Sequence, residues 1–143
     1  MNDELVTREA GAYAGFEQAV AATPADRREE PVLSDDWSVK DVLWHVAFWW
    51  RDGEESFGKI RAGTWVDQEW PAEVTNATNA RVLAESRSMS LSEVEAGLRA
   101  ARAGLLEAFA PVAGDPVADE LFTSETIEHY EEHLPALRGL TAS

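Results

Sequence analysis

The sequence contains no cysteine, so it can form no disulfide and offer no thiolate ligand. Any metal would have to be held by His, Asp or Glu. That lack is compatible with a reducing, cytoplasmic setting. No apolar run is long enough to make a transmembrane helix. The Met1-Asn-Asp-Glu start is acidic, unlike a signal peptide, so a cytoplasmic location is expected. Lysine is scarce: Lys40 and Lys59 are the only two, and ten arginines complete the 12 basic residues. Against these stand 27 acids, for a net charge of −15. A phosphate backbone or an anionic membrane surface would be repelled, so neither nucleic acid nor membrane is expected as a partner. Histidine is scarcer still than the acids, with three in 143 residues.

Four of the six tryptophans lie in one stretch, Trp37-Ser-Val-Lys-Asp-Val-Leu-Trp-His45-Val-Ala-Phe-Trp49-Trp50. Val42, His45, Val46 and Trp49 fall on one face of a helix. Ser38 and Asp41 have the spacing of a capping box, which would start that helix. The other two histidines, His129 and His133, are spaced i, i+4, so one helical face presents both to the same point.

The length fits one domain over 1–143, with enough chain to build a core without staples. Apolar spacing predicts a first helix over 3–21, ended by Thr23-Pro24. Its Gly11 and Gly15 would allow a neighbouring helix or ligand to approach closely. Residues 24–36 read as a polar loop anchored by Val32 and Leu33. A second helix runs from about 39 to 58–61, with Gly53 and Gly58 weakening its last turns. A loop with Trp65 and Trp70 follows. The third helix, about 72–88, turns Val74, Ala77, Val82 and Leu83 inward. Ser90 and Glu93 open a fourth, about 91–110. Ala110 to Pro116 is the clearest break. The last helix is expected to start at Ser124 as N-cap and to end or kink at Pro135. No strand-like alternation occurs, so the fold class is all-α: a four-helix bundle with an additional short helix.

If the second and last helices are neighbours in that bundle, His45, His129 and His133 close a three-imidazole face. Neutral imidazoles suit Zn, Ni, Fe or Cu, and three with an open position match a catalytic rather than a structural metal site. Asp41 and Glu125 each lie one turn before a histidine. Each could accept a ring N–H, supply a fourth ligand, or simply be a favourable charge at a helix N-terminus. Trp44, Trp49, Trp65 and Trp70 could wall an apolar pocket, while Trp44 and Trp50 could equally face a partner. An unperturbed imidazole must lose its proton near pH 6.5 to ligate, so metal affinity should fall below about pH 6. Tyr130 follows His129 where a zinc protease would have Glu, and there is no phosphate loop or nucleophile elbow.

Trp37 to Trp49 followed by Thr126-Ile-Glu-His129-Tyr-Glu-Glu-His133-Leu resembles the DinB/YfiT-like superfamily. The likeness rests specifically on those two motifs, about 25 residues. The first motif is also similar to the ClbS/DfsB-type branch. The resemblance implies a homodimeric bundle with a divalent metal (Zn, Ni or Fe) held by His45, His129 and His133. It further implies a small-molecule substrate, with the ion activating a low-molecular-weight thiol, as in thiol S-transferases and mycothiol-dependent maleylpyruvate isomerase, or a water, as in hydrolases. Two other expectations stay open. One is a non-catalytic ligand-binding or protective bundle protein. The other is three core histidines with no ion.

Overall fold

The computed structural model describes residues 3–33, 36–67 and 69–142. Met1, Asn2, Ser34, Asp35, Gln68 and Ser143, which the terminus and loop readings above include, lie outside the described residues. Helices α1 (Asp3–Ala21), α2 (Val39–Ala62), α3 (Ala72–Arg87), α4 (Leu91–Phe109), α5 (Pro116–Thr123) and α6 (His129–Ala142) make an all-helical bundle, with no strand among the described residues. None of these helices is long and apolar enough to cross a membrane.

Helix starts are set by side chains that satisfy orphan amides. The Asp41 amide donates to Ser38 Oγ at 3.1 Å, and the Ser38 amide donates to Asp41 Oδ2 at 2.9 Å. Ser90 and Glu93 make the same reciprocal pair at the start of α4. The α2 helix continues through Gly53 and Gly58 and stops at Gly63, whose φ of 75° suits glycine at a C-cap.

The last rod departs from the sequence expectation at its start, and of the two outcomes expected at Pro135 the end does not occur. Ser124 is not an N-cap. The helix begins a full eight residues earlier at Pro116, with Asp115 Oδ1 accepting from the Val117 and Ala118 amides. An Asp cap followed by Pro at the first helical position is the stronger start, and buried Ala118 and Phe122 anchor the added turns. Ser124–Glu128 is a single π-turn that joins α5 to α6. Nor does Pro135 end the helix, which runs on to Ala142. Leu137, fully buried two residues beyond the proline, holds those turns against the core.

Helix α2 is the central element, lying against α4, α3 and the α5–α6 rod, while α1 packs on that rod. Trp50 is wholly buried, which removes it as an interface residue, and Trp44 is buried too. Tyr13, Phe16, Trp50 and Tyr130 form one aromatic cluster, and the Phe109 and Phe122 rings stack at 4.1 Å. On α3 the inward set is smaller than expected: Val82 is buried, but Val74 and Ala77 are exposed. No neighbour comes close at Gly11 or Gly15. The tight approaches fall instead on α4, at Gly104, where an added Cβ would lie 2.6 Å from the movable end of Glu54, and at Gly97, where it would lie 2.7 Å from Trp44 Cζ3.

Candidate metal centre

The histidines predicted from spacing converge. His45 projects from the second turn of α2, and His129 and His133 stand one turn apart at the start of α6. Ring centroids are separated by 5.1 Å (His45–His129), 5.2 Å (His45–His133) and 4.8 Å (His129–His133). One ligating nitrogen from each lies within 4.8 Å of the others. Three nitrogens on a tetrahedral zinc stand roughly 3.3 Å apart, so the trio must draw in by an amount within reach of imidazole rotation. Among the described residues this is the one set of three such groups close enough to hold an ion.

The π-turn sets the approach of α6. Its extra residue per turn shifts the face that follows, and its carbonyls are served by side chains. Trp50 Nε1 donates to the Glu125 carbonyl at 3.1 Å, and Thr126 Oγ1 donates to the Phe122 carbonyl at 2.6 Å. A π-turn inside an otherwise regular helix often marks a functional position, and here it immediately precedes His129.

Burial governs the protonation of the site. It pushes His45 down to about 4, with His133 adding to the shift, and His129 down to about 3, with both other imidazoles contributing. His133 is lowered for the same reason, partly offset by Glu132. All three rings are therefore neutral at pH 7, the state a metal ligand requires. His45 Nδ1, His129 Nδ1 and His133 Nε2 are buried without a hydrogen-bond partner. The Glu125 carbonyl is near enough to raise the proton affinity of His129 slightly, but makes no well-aligned bond to Nδ1. Three unsatisfied buried nitrogens in one place are costly unless something binds them, so the donor set fits a divalent ion.

The two carboxylates differ from each other. Asp41 is committed to the α2 cap and also accepts from Ser86 Oγ, so of its three open roles the N-terminal charge is the one observed. Glu125 lines the cavity beside His45 and His129. Burial, together with the Asp52 charge, pushes it up to about 8. Its backbone carbonyl, rather than its carboxylate, approaches the His129 ring.

Around the imidazoles, Trp37 and Trp49 stand edge-on to His45 at 5.3 and 6.5 Å. A cavity of about 220 Å³ opens between His45, His129, Trp49 and the α3 residues Thr75 and Asn79. Asn79 Oδ1 accepts from Trp49 Nε1 at 3.1 Å, fixing that ring. A larger cavity of about 510 Å³ adjoins it, sharing Ser124 and Glu125 and lined by Trp65 and Trp70. The loop tryptophans thus do border a pocket, whereas Trp44 is turned away under Arg51. Asp52 and Ser56 were missed in the sequence, though they continue the stripe His45, Trp49, Asp52, Ser56 at i, i+4, i+7, i+11. Nothing in the sequence singles out Thr75 or Asn79.

This combination defines a helical-bundle protein with a neutral three-imidazole cluster, buried at His45 and His129 and half-buried at His133, at the edge of an aromatic-walled cavity. No family model matches the chain, and no curated protein or solved structure matches it either.

Proposed function

We propose that this protein is a metal-dependent enzyme of the DinB/YfiT-like kind, holding a divalent ion (Zn, Ni or Fe) on His45, His129 and His133. The observation that carries the reading is the meeting of the three histidines of the chain as neutral rings, two buried and His133 half-buried, each with a buried nitrogen that has no partner. Such an ion, when bound, lowers the pKa of a coordinated thiol or water and so supplies a nucleophile at neutral pH. The chain's own residues do the rest. The imidazoles leave coordination positions open toward the cavity. Trp37 and Trp49 shield the site from bulk water, and Asn79 orients Trp49. The substrate is a small electrophilic molecule, met by a low-molecular-weight thiol or by water. The family resemblance carries a homodimer, and the lack of cysteine with the acidic N-terminus carries a cytoplasmic setting.

The test is turnover. Protein loaded separately with Zn, Ni and Fe is assayed for thiol conjugation and for hydrolysis across a panel of small electrophiles. Metal-dependent turnover that disappears in His133→Ala is expected. A loaded protein inert with thiols and water across the panel would leave a ligand-binding or protective bundle in place of an enzyme.

A further inference from the structure

The larger cavity has a chemical character of its own. Asp52, Asp67, Glu120 and Glu125 line it together with Trp65 and Trp70, and no Lys or Arg lines either cavity. Neither Asp52 nor Glu125 has an ion-pair partner among the described residues. The nearest cation acting on Asp52 is Lys59, which is paired with Glu55 at 3.4 Å. Asp52 and Glu125 both line the cavity, and burial raises the pKa of each, with the Glu55 charge adding at Asp52, where Lys59 offsets it in part, and the Asp52 charge adding at Glu125. Above them Trp70 stands edge-on to Trp49 at 5.0 Å, and Trp65 is held by a bond from Nε1 to Asp67 Oδ1 at 3.3 Å. A ring path runs from His45 through Trp49 to Trp70. The space adjoins the histidine cavity across Ser124 and Glu125, and there His45 and His129, 9% and 8% exposed, each keep an unpartnered Nδ1.

We propose that this cavity binds an organic cation, a small molecule carrying a protonated or quaternary amine. The ammonium group sits at the Asp52 carboxylate against the faces of Trp65 and Trp70, and the remainder of the molecule extends past Ser124 and the Glu125 carboxyl toward the histidines. Asp52, with Asp67 and Glu120 on the same lining, supplies the charge, and the indole faces supply the cation–π attraction, the two together recognising ammonium groups. A bare metal ion fits less well. These acids do not form a set of three close donors, which among the described residues only the histidines do. The role of the histidines as the reacting end rests on the metal-centre reading, but binding of the cation at the acidic end does not.

Isothermal titration at pH 7 and low ionic strength, with phenethylammonium and its neutral analogue 2-phenylethanol, tests this. The amine should bind one-to-one and about tenfold more tightly than the alcohol. Asp52→Asn and Trp65→Leu should each weaken it about tenfold. Glu107→Gln, an exposed acid lining neither cavity, should leave it unchanged. Trp65 is in a loop, so its replacement gives a result even if Asp52→Asn disturbs α2. Binding is also measured in His133→Ala. Loss of metal there with amine binding intact separates the two readings. Equal affinity for amine and alcohol, an equal effect of Glu107→Gln, or displacement of the amine by equimolar magnesium would overturn the proposal.

Discussion

At the residue scale, burial of ionisable groups dominates the candidate site. Histidine burial changes what pH should do to metal binding. An unperturbed imidazole implies a fall below about pH 6, but His45 titrates near 4 and His129 near 3. Protons therefore compete with the ion only at much lower pH, and affinity should hold to about pH 5. In the metal-free protein two slopes oppose each other. A folded imidazole with a lowered pKa costs stability as pH falls below the unfolded value near 6.5, because the unfolded chain takes up protons first. Glu125 has the opposite sign. Its folded value is raised to about 8 from 4.5, so stability is lost as pH rises through that window. Between pH 6.5 and 8 the two nearly cancel: three imidazoles half-protonated in the unfolded chain cost about 1 kcal/mol at pH 6.5, against about 1.5 kcal/mol gained there from the protonated Glu125. Denaturant unfolding of chelator-treated wild type should therefore be nearly flat over this range. Glu125→Gln should uncover the histidine slope, with about 1 kcal/mol less stability at pH 6.5 than at pH 8. A Glu125→Gln curve as flat as the wild type's would show that the Glu125 carboxyl is not held in an environment hostile to its charge.

At the scale of elements, the tightest contact is between α2 and α4. Trp44 donates from Nε1 to Glu85 Oε2 at 3.2 Å and lies under Arg51, so its ring cannot easily retreat from Gly97. Gly97→Ala should therefore destabilise by about 1–3 kcal/mol, the cost of overpacking. Gly11→Ala on the open face of α1 should stabilise by roughly 0.5–1 kcal/mol. Thermal midpoints of the two variants moving the same way would contradict this packing. The contrast also shows what the sequence reveals. The starts of α2 and α4 were legible because their caps are local: Ser38 with Asp41 and Ser90 with Glu93 are three residues apart. Helices α1 and α3 were legible from apolar spacing and the prolines at 24 and 71. The start at Asp115-Pro116 was as local, yet it was hidden inside what read as a break. The π-turn and the passage through Pro135 were not legible. Each depends on partners far along the chain, Trp50 for the Glu125 carbonyl and the core around Leu137. The histidine spacing was readable within α6, but its meeting with His45 needed the α2–α6 contact, which only packing supplies. The same holds for Asn79 and Thr75, brought to the site by α3.

At the scale of the whole molecule, an acidic surface encloses a neutral imidazole cluster reached through an acidic, tryptophan-lined space. The net charge of −15 draws cations toward the protein and repels nucleic acid. That field acts alike on a metal ion and on an organic ammonium. On the proposals made above, the neutral histidines would select the first and the acids with indole faces the second. The fold serves both by placing one central helix, α2, in contact with every wall: His45 and Trp49 on the smaller cavity, Asp52 and Ser56 on the larger. The central claim is that the three histidines hold one ion. Its most direct test is elemental analysis by mass spectrometry of protein purified without a metal-affinity column, wild type beside His45→Ala. Near-stoichiometric Zn, Ni or Fe in the wild type, lost from the variant with helicity retained, is the predicted result. A wild type that carries no metal and takes none up on addition would contradict it, leaving three neutral histidines packed as core.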